Sequence, residues 1–305
     1  MRAPLIATIA AFALGAVALA VNTYLVDAQT RQAAARDGGA VIDTPVVPAN
    51  VRVQGSGPAI VLIHGFGAAI DWWDEIAPAL AADHRVIRID LIGHGGTAAP
   101  ASGYSIERQG ALVAAVLDRL GVDRVTVIGH SMGGEVATAF AGIRPARIAR
   151  MILIDAPATA GTTFTILTEA YLTPVVGQLL SHFQTDEGLR RGLAQGFAPG
   201  FAVPEKFVAD VRRLTYTAFR TAHDDSIAYR TAKPPYERIA ALQPVPPLLA
   251  LSGSLDAIVP PEHTKFYEHV PGAKIAIIEG AGHSPMVERP AKTLELIRGF
   301  LASTP

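Results

Sequence analysis

Six short runs dominated by apolar residues recur along this chain, at 59–63, 86–89, 125–128, 151–154, 248–251 and 275–278. Runs of this length and character fit strands buried on both faces, the habit of a parallel sheet. Helical patterns lie between several of them. Residues 106–120 form one, with Ser105 placed to cap its start and Gly121 to stop it. Residues 135–143 and 293–301 form two more. A further strand is expected at 51–54, closed by the turn Gly55-Ser56-Gly57-Pro58, with Pro45 and Pro48 marking a linker or the entry to an edge strand. The alternation predicts an α/β fold built on a mostly parallel, doubly wound sheet.

The rhythm breaks once. Between 154 and 248 the alternation is lost and aromatics gather, among them Phe164, Tyr171, Phe183, Phe197, Phe201, Phe207, Tyr216 and Phe219. A proline-rich stretch at 244–247 then returns the chain to the sheet. A helical cap inserted over the strand ends accounts for this, with 157–239 as the insertion and 41–156 and 240–305 as the core. Hydrophobic residues make up 50% of the chain and charged residues 17%, which suits a large buried core rather than a disordered chain. The net charge of −1, with no basic run, gives no footing for nucleic acid. The absence of cysteine excludes disulfides, thiol catalysis, cysteine-held metals and a lipidated cysteine.

Residues 1–40 stand apart. Arg2 precedes a small and apolar run at 3–21, which as a helix reaches roughly 27 Å at ~1.5 Å per residue, close to a ~30 Å hydrocarbon core. Three readings stay open: an uncleaved transmembrane anchor, a signal peptide cut after Ala18-Leu19-Ala20 or Val26-Asp27-Ala28, and a helix of a soluble protein. The first two place the catalytic domain outside the cytoplasm, either membrane-anchored or secreted or periplasmic. Residues 22–40 read as a helical stem broken at Asp37-Gly38-Gly39.

The strongest chemical signal is Gly129-His130-Ser131-Met132-Gly133-Gly134, which follows one apolar run and precedes a helical pattern. A serine held on a strained strand-to-helix turn stands clear of the sheet as a nucleophile. The helix start behind it puts positive dipole near developing negative charge. His64-Gly65-Phe66-Gly67 directly follows the run at 59–63. The backbone N–H groups of Phe66 and Met132 are the natural pair of donors to an oxyanion, where one lost donor typically costs roughly 3–4 kcal/mol of transition-state stabilisation. His64 itself reads as a structural hydrogen bonder. Of the late histidines, His263 and His269 sit in a charged stretch, whereas His283 lies in the loop Gly280-Ala281-Gly282-His283-Ser284-Pro285 after a strand, where an imidazole can reach a serine as its general base. The orienting acid is Asp256, in Ser252-Gly253-Ser254-Leu255-Asp256, with Asp155 at another strand end as its rival; Asp90 reads as a turn former. Trp72 and Trp73, after the oxyanion loop, either wall a substrate pocket or pack a helix on the sheet.

Together these motifs, with Asp90-Leu91-Ile92-Gly93-His94-Gly95, resemble the capped serine branch of the α/β-hydrolase superfamily, from about residue 51 to the C-terminus. The resemblance implies an α/β-hydrolase fold, Ser131, Asp256 and His283 as triad, Phe66 and Met132 as oxyanion donors, and no cofactor or metal. Haloalkane dehalogenases and epoxide hydrolases of this branch carry aspartate where this chain has Ser131, which argues against both chemistries. Carbon–carbon bond hydrolases usually carry asparagine where this chain has His130. The expected activity is therefore a serine esterase, carboxylesterase or lipase-like, that cleaves a small apolar ester through an acyl-enzyme. Carbon–carbon or amide hydrolysis, or a low-turnover ligand-binding role, are the alternatives.

Overall fold

The computed structural model describes residues 2–27, 30–161 and 171–303; Phe164 and Ala28 lie outside them. Among the described residues, eight strands form one sheet in the spatial order β1-β2-β4-β3-β5-β6-β7-β8. They are β1 (Ala40–Ile42), β2 (Ala49–Gln54), β3 (Ala59–Ile63), β4 (Arg85–Ile89), β5 (Val125–His130), β6 (Ile148–Ile154), β7 (Leu248–Gly253) and β8 (Lys274–Ile278). β1, β2 and β4 pair antiparallel, and every pairing from β4 across to β8 is parallel. The chain runs from β3 to β4 on one side, then crosses back to place β5 on the other side of β3. Connections thus leave β3 in opposite directions, and the crevice beyond the carboxyl ends of β3 and β5 is where such sheets take ligands.

Both faces of the sheet are covered, which is why its strands read as apolar runs without alternation. Ile60, Leu62, Ile152 and Leu251 pack with Trp73, Ile297 and Phe300; Val61, Ile63, Val127 and Leu153 pack with Val113, Val136 and Phe140. Arg88 in β4 is a charged exception. Its guanidinium is buried and donates to Asp74 Oδ1 at 2.6 Å, Ile70 O at 3.1 Å and Gln54 Oε1 at 2.5 Å.

The helices are α1 (Arg2–Asp27), α2 (Ala77–Leu80), α3 (Ile106–Arg119) and α4 (Met132–Ile143), then α5 (Pro174–Ser181), α6 (Asp186–Ala194), α7 (Glu205–Arg213), α8 (Tyr216–Ala232) and α9 (Pro235–Ala240) between β6 and β7, and finally α10 (Pro285–Glu288) and α11 (Pro290–Ala302). Ser105 Oγ caps α3 by accepting from Arg108 N at 3.3 Å, and Gly121 follows its end at φ +64°. Thr185 and Thr215 cap α6 and α8 in the same way, each accepting at 3.1 Å. α5 to α9 form the inserted helical cap. α8 packs on α3 and α4, and α6 packs on α7.

Two expectations for the N-terminus are corrected. The helical stem ends at Asp27, and beyond the undescribed pair 28–29 the chain to Arg36 is not helical. Arg31 exchanges backbone hydrogen bonds with Ala99 at 2.9 and 2.8 Å, and its guanidinium donates to Gly95 O at 2.8 Å and Gly93 O at 3.1 Å. Those tertiary bonds override the helix preference of an alanine-rich segment. The expected transmembrane span is not met either: among the described residues no helix is long and apolar enough to cross a membrane. Ile6, Ile9, Phe12, Leu14, Val17 and Val21 of α1 are exposed, and Leu19 is half-buried. α1 packs against α5 and α8 of the cap. The three-residue β1 is a strand that no apolar run announced.

Candidate active site

Ser131 sits between β5 and α4 with φ +51° and ψ −125°, a backbone conformation that costs a non-glycine residue on the order of 1–3 kcal/mol. The surroundings enforce it. Its N–H donates to Ile154 O at 2.9 Å, and its carbonyl accepts from Gly134 N at 2.8 Å. The turn also packs hard against β3: a Cβ on Gly133 would stand 2.2 Å from Ile63 O and 2.5 Å from His64 O. Only glycine lets the helix start that close to the strand.

His283 lies in the loop between β8 and α10. Its backbone N–H donates to Gly196 O at 3.0 Å, and its carbonyl accepts from His130 Nε2 at 2.6 Å. The imidazole bridges two partners, with Nδ1 at 2.7 Å from Asp256 Oδ2 and Nε2 at 2.9 Å from Ser131 Oγ. A carboxylate only accepts, so Nδ1 carries the proton and Nε2 is the free base facing the hydroxyl. The other oxygen of Asp256, Oδ1, accepts from Ile258 N at 2.8 Å and Val259 N at 2.9 Å. Of the two rival acids, Asp256 is thus the one bonded to the imidazole. Asp155 caps β6 at φ +46°, and its Oδ1 accepts from Gly253 N at 2.9 Å.

The oxyanion loop lies against the nucleophile turn. A Cβ on Gly65 would come within 3.0 Å of Ser131 Cβ and 2.9 Å of His130 Nδ1. Phe66 and Met132 both line the cavity over Ser131. Met132 is the first residue of α4, where a helix leaves its N–H groups without intrahelical partners. His64 is buried and braces this loop, its Nδ1 at 2.8 Å from Gly65 O and its Nε2 accepting from Leu91 N at 3.0 Å. Burial, with His94 and His130 close by, holds its pKa well below the usual imidazole range, so it stays neutral. Asp90 shapes the neighbouring turns, accepting from Ile70 N at 2.8 Å, Asn50 Nδ2 at 2.7 Å and Gly96 N at 2.7 Å. Burial pushes its pKa up to about 6.

A cavity of about 630 Å³ opens over Ser131 between core and cap. Trp72, Leu189, Leu193, Phe197, Phe219 and Ile258 supply apolar walls, and His223, Ser226 and Arg230 a polar stretch. Trp72 stacks on Phe207 with ring centroids 4.0 Å apart. Trp73, one residue on, is a correction: it is fully buried in the apolar layer beneath the sheet and is not among the cavity residues. The short helical turn Ile70–Trp73 sends neighbouring side chains in different directions, so the two tryptophans cannot share a wall. Of the cap aromatics, Tyr171, Phe197 and Phe219 reach the cavity, whereas Phe183 is exposed.

Two polar groupings were not singled out from the sequence. Glu288 in α10 gathers the backbone on both sides of His283, accepting from Gly282 N at 3.0 Å and Ser284 N at 3.2 Å, and reaches the cap at Ala198 N, 2.7 Å. Glu135, on the first turn of α4, is fully buried against Arg230 of α8, whose Nη1 donates to Glu135 Oε1 and to Ser226 Oγ, both at 2.9 Å. Burial pushes Glu135 up to about 7 despite Arg230 and Ser226. Neither grouping carried a local sequence signal, because each is assembled by the fold.

Comparison with known proteins agrees with this fold. The family model described as alpha/beta hydrolase fold matches residues 58–290. An uncharacterised protein of Mycobacterium tuberculosis is 28% identical over 266 residues, covering 83% of this chain and 78% of its own. The 2-hydroxy-6-oxo-2,4-heptadienoate hydrolase of Pseudomonas putida is 25% identical over 284 residues, covering 84% of this chain and 94% of its own. In fold, the chain is similar to a membrane phospholipase A, with a TM-score of 0.71, 22% identity, and 99% and 98% of the two chains covered.

Proposed function

Since this chain belongs to the α/β-hydrolase fold family, we propose that it is a serine hydrolase cleaving a carboxylic ester of an apolar substrate through an acyl-enzyme. The observation that carries this reading is the unbroken hydrogen-bonded line from Asp256 through His283 to Ser131, at 2.7 and 2.9 Å, beneath a largely apolar cavity. The substrate's acyl or alcohol chain lies between core and cap. Ser131 Oγ attacks the ester carbonyl as His283 Nε2 takes its proton, and the carbonyl oxygen turns toward the N–H groups of Phe66 and Met132. His283 returns the proton to the leaving alkoxide. Water then attacks the acyl-enzyme with the same imidazole as base. Asp256 stays ionised and holds the ring in the tautomer that presents a free Nε2.

The test is turnover of short and medium chromogenic esters, with labelling by a fluorophosphonate and a Ser131→Ala control. Absence of both turnover and labelling in the wild type would sink the reading. The likeness to a heptadienoate hydrolase favours carbon–carbon cleavage as a second reading. It predicts that a 2-hydroxy-6-oxo-dienoate, assayed beside the chromogenic esters, outruns them by kcat/KM.

We further infer that α1 associates with a lipid surface, with the catalytic domain outside the cytoplasm. The exposed apolar side chains of α1 support this, as does the fold likeness along nearly the whole chain to a membrane phospholipase. Recovery of the full chain in the soluble fraction, unchanged when α1 is removed, overturns it.

A further inference from the structure

Two buried carboxyls, not one, lie near the imidazole. Atoms of Asp155, Asp256 and His283 lie within 4.8 Å of one another, and all three residues are buried. Asp155 enters from the end of β6, Asp256 from the loop after β7 and His283 from the loop after β8. The imidazole can hydrogen-bond only one acid at Nδ1, and that acid is Asp256. Asp155 is therefore a second acid in a site that one acid satisfies.

Its surroundings define its charge. Oδ1 has the Gly253 N–H, whereas Oδ2 is buried with no N–H group to accept from and faces the Asp256 carboxyl, with which it can share a proton, and the Ser252 hydroxyl. Among the described residues, the rings of His283 and His130 face the pair; His130 is buried beside it and neutral, and Tyr267 reaches only the Ala156 and Pro157 carbonyls. Two anions held this close in a dry site repel strongly, so one must keep its proton. Asp256 accepts from two backbone N–H groups and the imidazole, whereas Asp155 accepts from one. The proton therefore belongs on Asp155. Burial first, then the charge of Asp256, raise its pKa well above the carboxylate range. Burial also pushes Asp256 upward, but His283, the Val259 N–H and the Asp155 carboxyl outweigh that and leave it below its usual value.

We propose that Asp155 is a positioning residue of the triad: a neutral carboxylic acid that donates its hydrogen bond to Asp256, and that ionises to replace Asp256 as the partner of His283 when that acid is removed. In the intact protein Asp155 keeps its proton throughout. The only proton that moves passes from Ser131 Oγ to His283 Nε2, leaving one anion, Asp256, beside one imidazolium. This inference rests on the serine-hydrolase reading for its kinetic test but not for its spectroscopic one.

The experiment is a double-mutant cycle of Asp155→Asn and Asp256→Asn, with Asp155→Ala alongside, read as pH profiles of kcat and KM on a chromogenic ester. Asparagine at 155 keeps a neutral donor but cannot ionise. Asp155→Ala is expected to lower kcat about tenfold with KM nearly held, and Asp155→Asn to recover most of that loss. In the Asp256→Asn background the effect of Asp155→Asn reverses in kind, removing a further tenfold or more of the residual activity. A packing role instead predicts the same factor for Asp155→Asn in both backgrounds, and that result overturns the proposal. The Nδ1 proton of His283, followed by NMR on histidine-labelled protein, gives a readout free of turnover. Its downfield resonance should persist in Asp256→Asn and vanish in the double variant; loss in Asp256→Asn alone overturns the proposal. A wild type that neither turns over ester nor labels at Ser131 defeats the hydrolase reading, and the NMR arm then decides the role of Asp155 alone.

Discussion

The indole of Trp72, on the core, donates from Nε1 to Asp210 Oδ2, on cap helix α7, at 3.1 Å. This bond joins core to cap beside the cavity that Trp72 lines. It sits among buried carboxyls, because Asp210 also faces Asp71, the residue before Trp72. Around them Arg213 donates to Asp210 Oδ1 at 2.9 Å and lies 3.9 Å from Asp37, while Lys206 donates to Asp71 O at 3.0 Å and Asp74 Oδ2 at 2.9 Å. The cap is thus pinned to the core beside the cavity by a cluster of buried and half-buried acids and bases.

That cluster predicts stability that weakens toward alkaline pH. Burial and the neighbouring Asp71 push Asp210 up to about 9, from a model-compound value of 3.8. A carboxyl whose pKa is raised on folding binds its proton more tightly in the folded state. Its contribution is fully present below pH ~4, declines as pH rises toward the folded pKa, and is lost above about 9. Thermal midpoints measured from pH 6 to pH 10 should fall for the wild type and fall less for Asp210→Asn. Parallel curves for the two proteins would show that Asp210 holds no proton.

Trp72→Phe separates the indole's two roles. Phenylalanine keeps the stack on Phe207 but loses the donor to Asp210, leaving a buried oxygen short of a partner at ~1–3 kcal/mol. Unfolding in urea should show a loss of that size, and KM should rise because the wall beside Ser131 is loosened while the line to His283 is untouched. A change in kcat with KM constant would contradict this division.

How far these features could be read from the chain depends on whether their cause is local. The strands were legible because burial on both faces leaves an apolar run, and even Arg88 did not hide β4. The turn at Ser131 was legible because its strained backbone needs glycines at fixed offsets. β1 was not, because three edge residues carry no pattern. The segment around Arg31 was misread, because the turn at Gly93–Gly96 that holds it lies some sixty positions away in sequence. Trp72 and Trp73 look equivalent in sequence, and only the phase of a short helical turn assigns one to the cavity and one to the core. Asp155 and Asp256 both end strands, and choosing between them required knowing which one the imidazole meets.

Glu288 is predicted to act on catalysis without touching substrate. Its carboxylate holds Gly282 and Ser284, the residues flanking His283, and Ala198 of the cap. Glu288→Ala strands three backbone donors at ~1–3 kcal/mol each if they stay buried. The loop should relax instead, and kcat should fall at least tenfold. Glu288→Gln keeps one acceptor oxygen and should recover part of the loss. Hydrogen exchange at Gly282 and Ser284 checks the cause: it should quicken in Glu288→Ala, and unchanged protection with reduced kcat would point elsewhere.

The pair Glu135–Arg230 ties the helix behind Ser131 to cap helix α8, and both side chains are buried. Removing one partner of a buried pair leaves the other uncompensated, typically at about 3–5 kcal/mol, whereas replacing both by apolar groups of similar size is often neutral or stabilising. Arg230→Met should therefore destabilise strongly. Glu135 is already pushed up to about 7 with its partner present, and it gives up its charge more readily once alone. The Arg230→Met loss should accordingly be larger at pH 8 than at pH 5, since at the lower pH the carboxyl is neutral before the arginine is removed. Glu135→Leu combined with Arg230→Met should recover most of the stability at both. Urea unfolding of the single and double variants at the two pH values tests this, and strictly additive losses would mean that the two side chains are not a pair in solution.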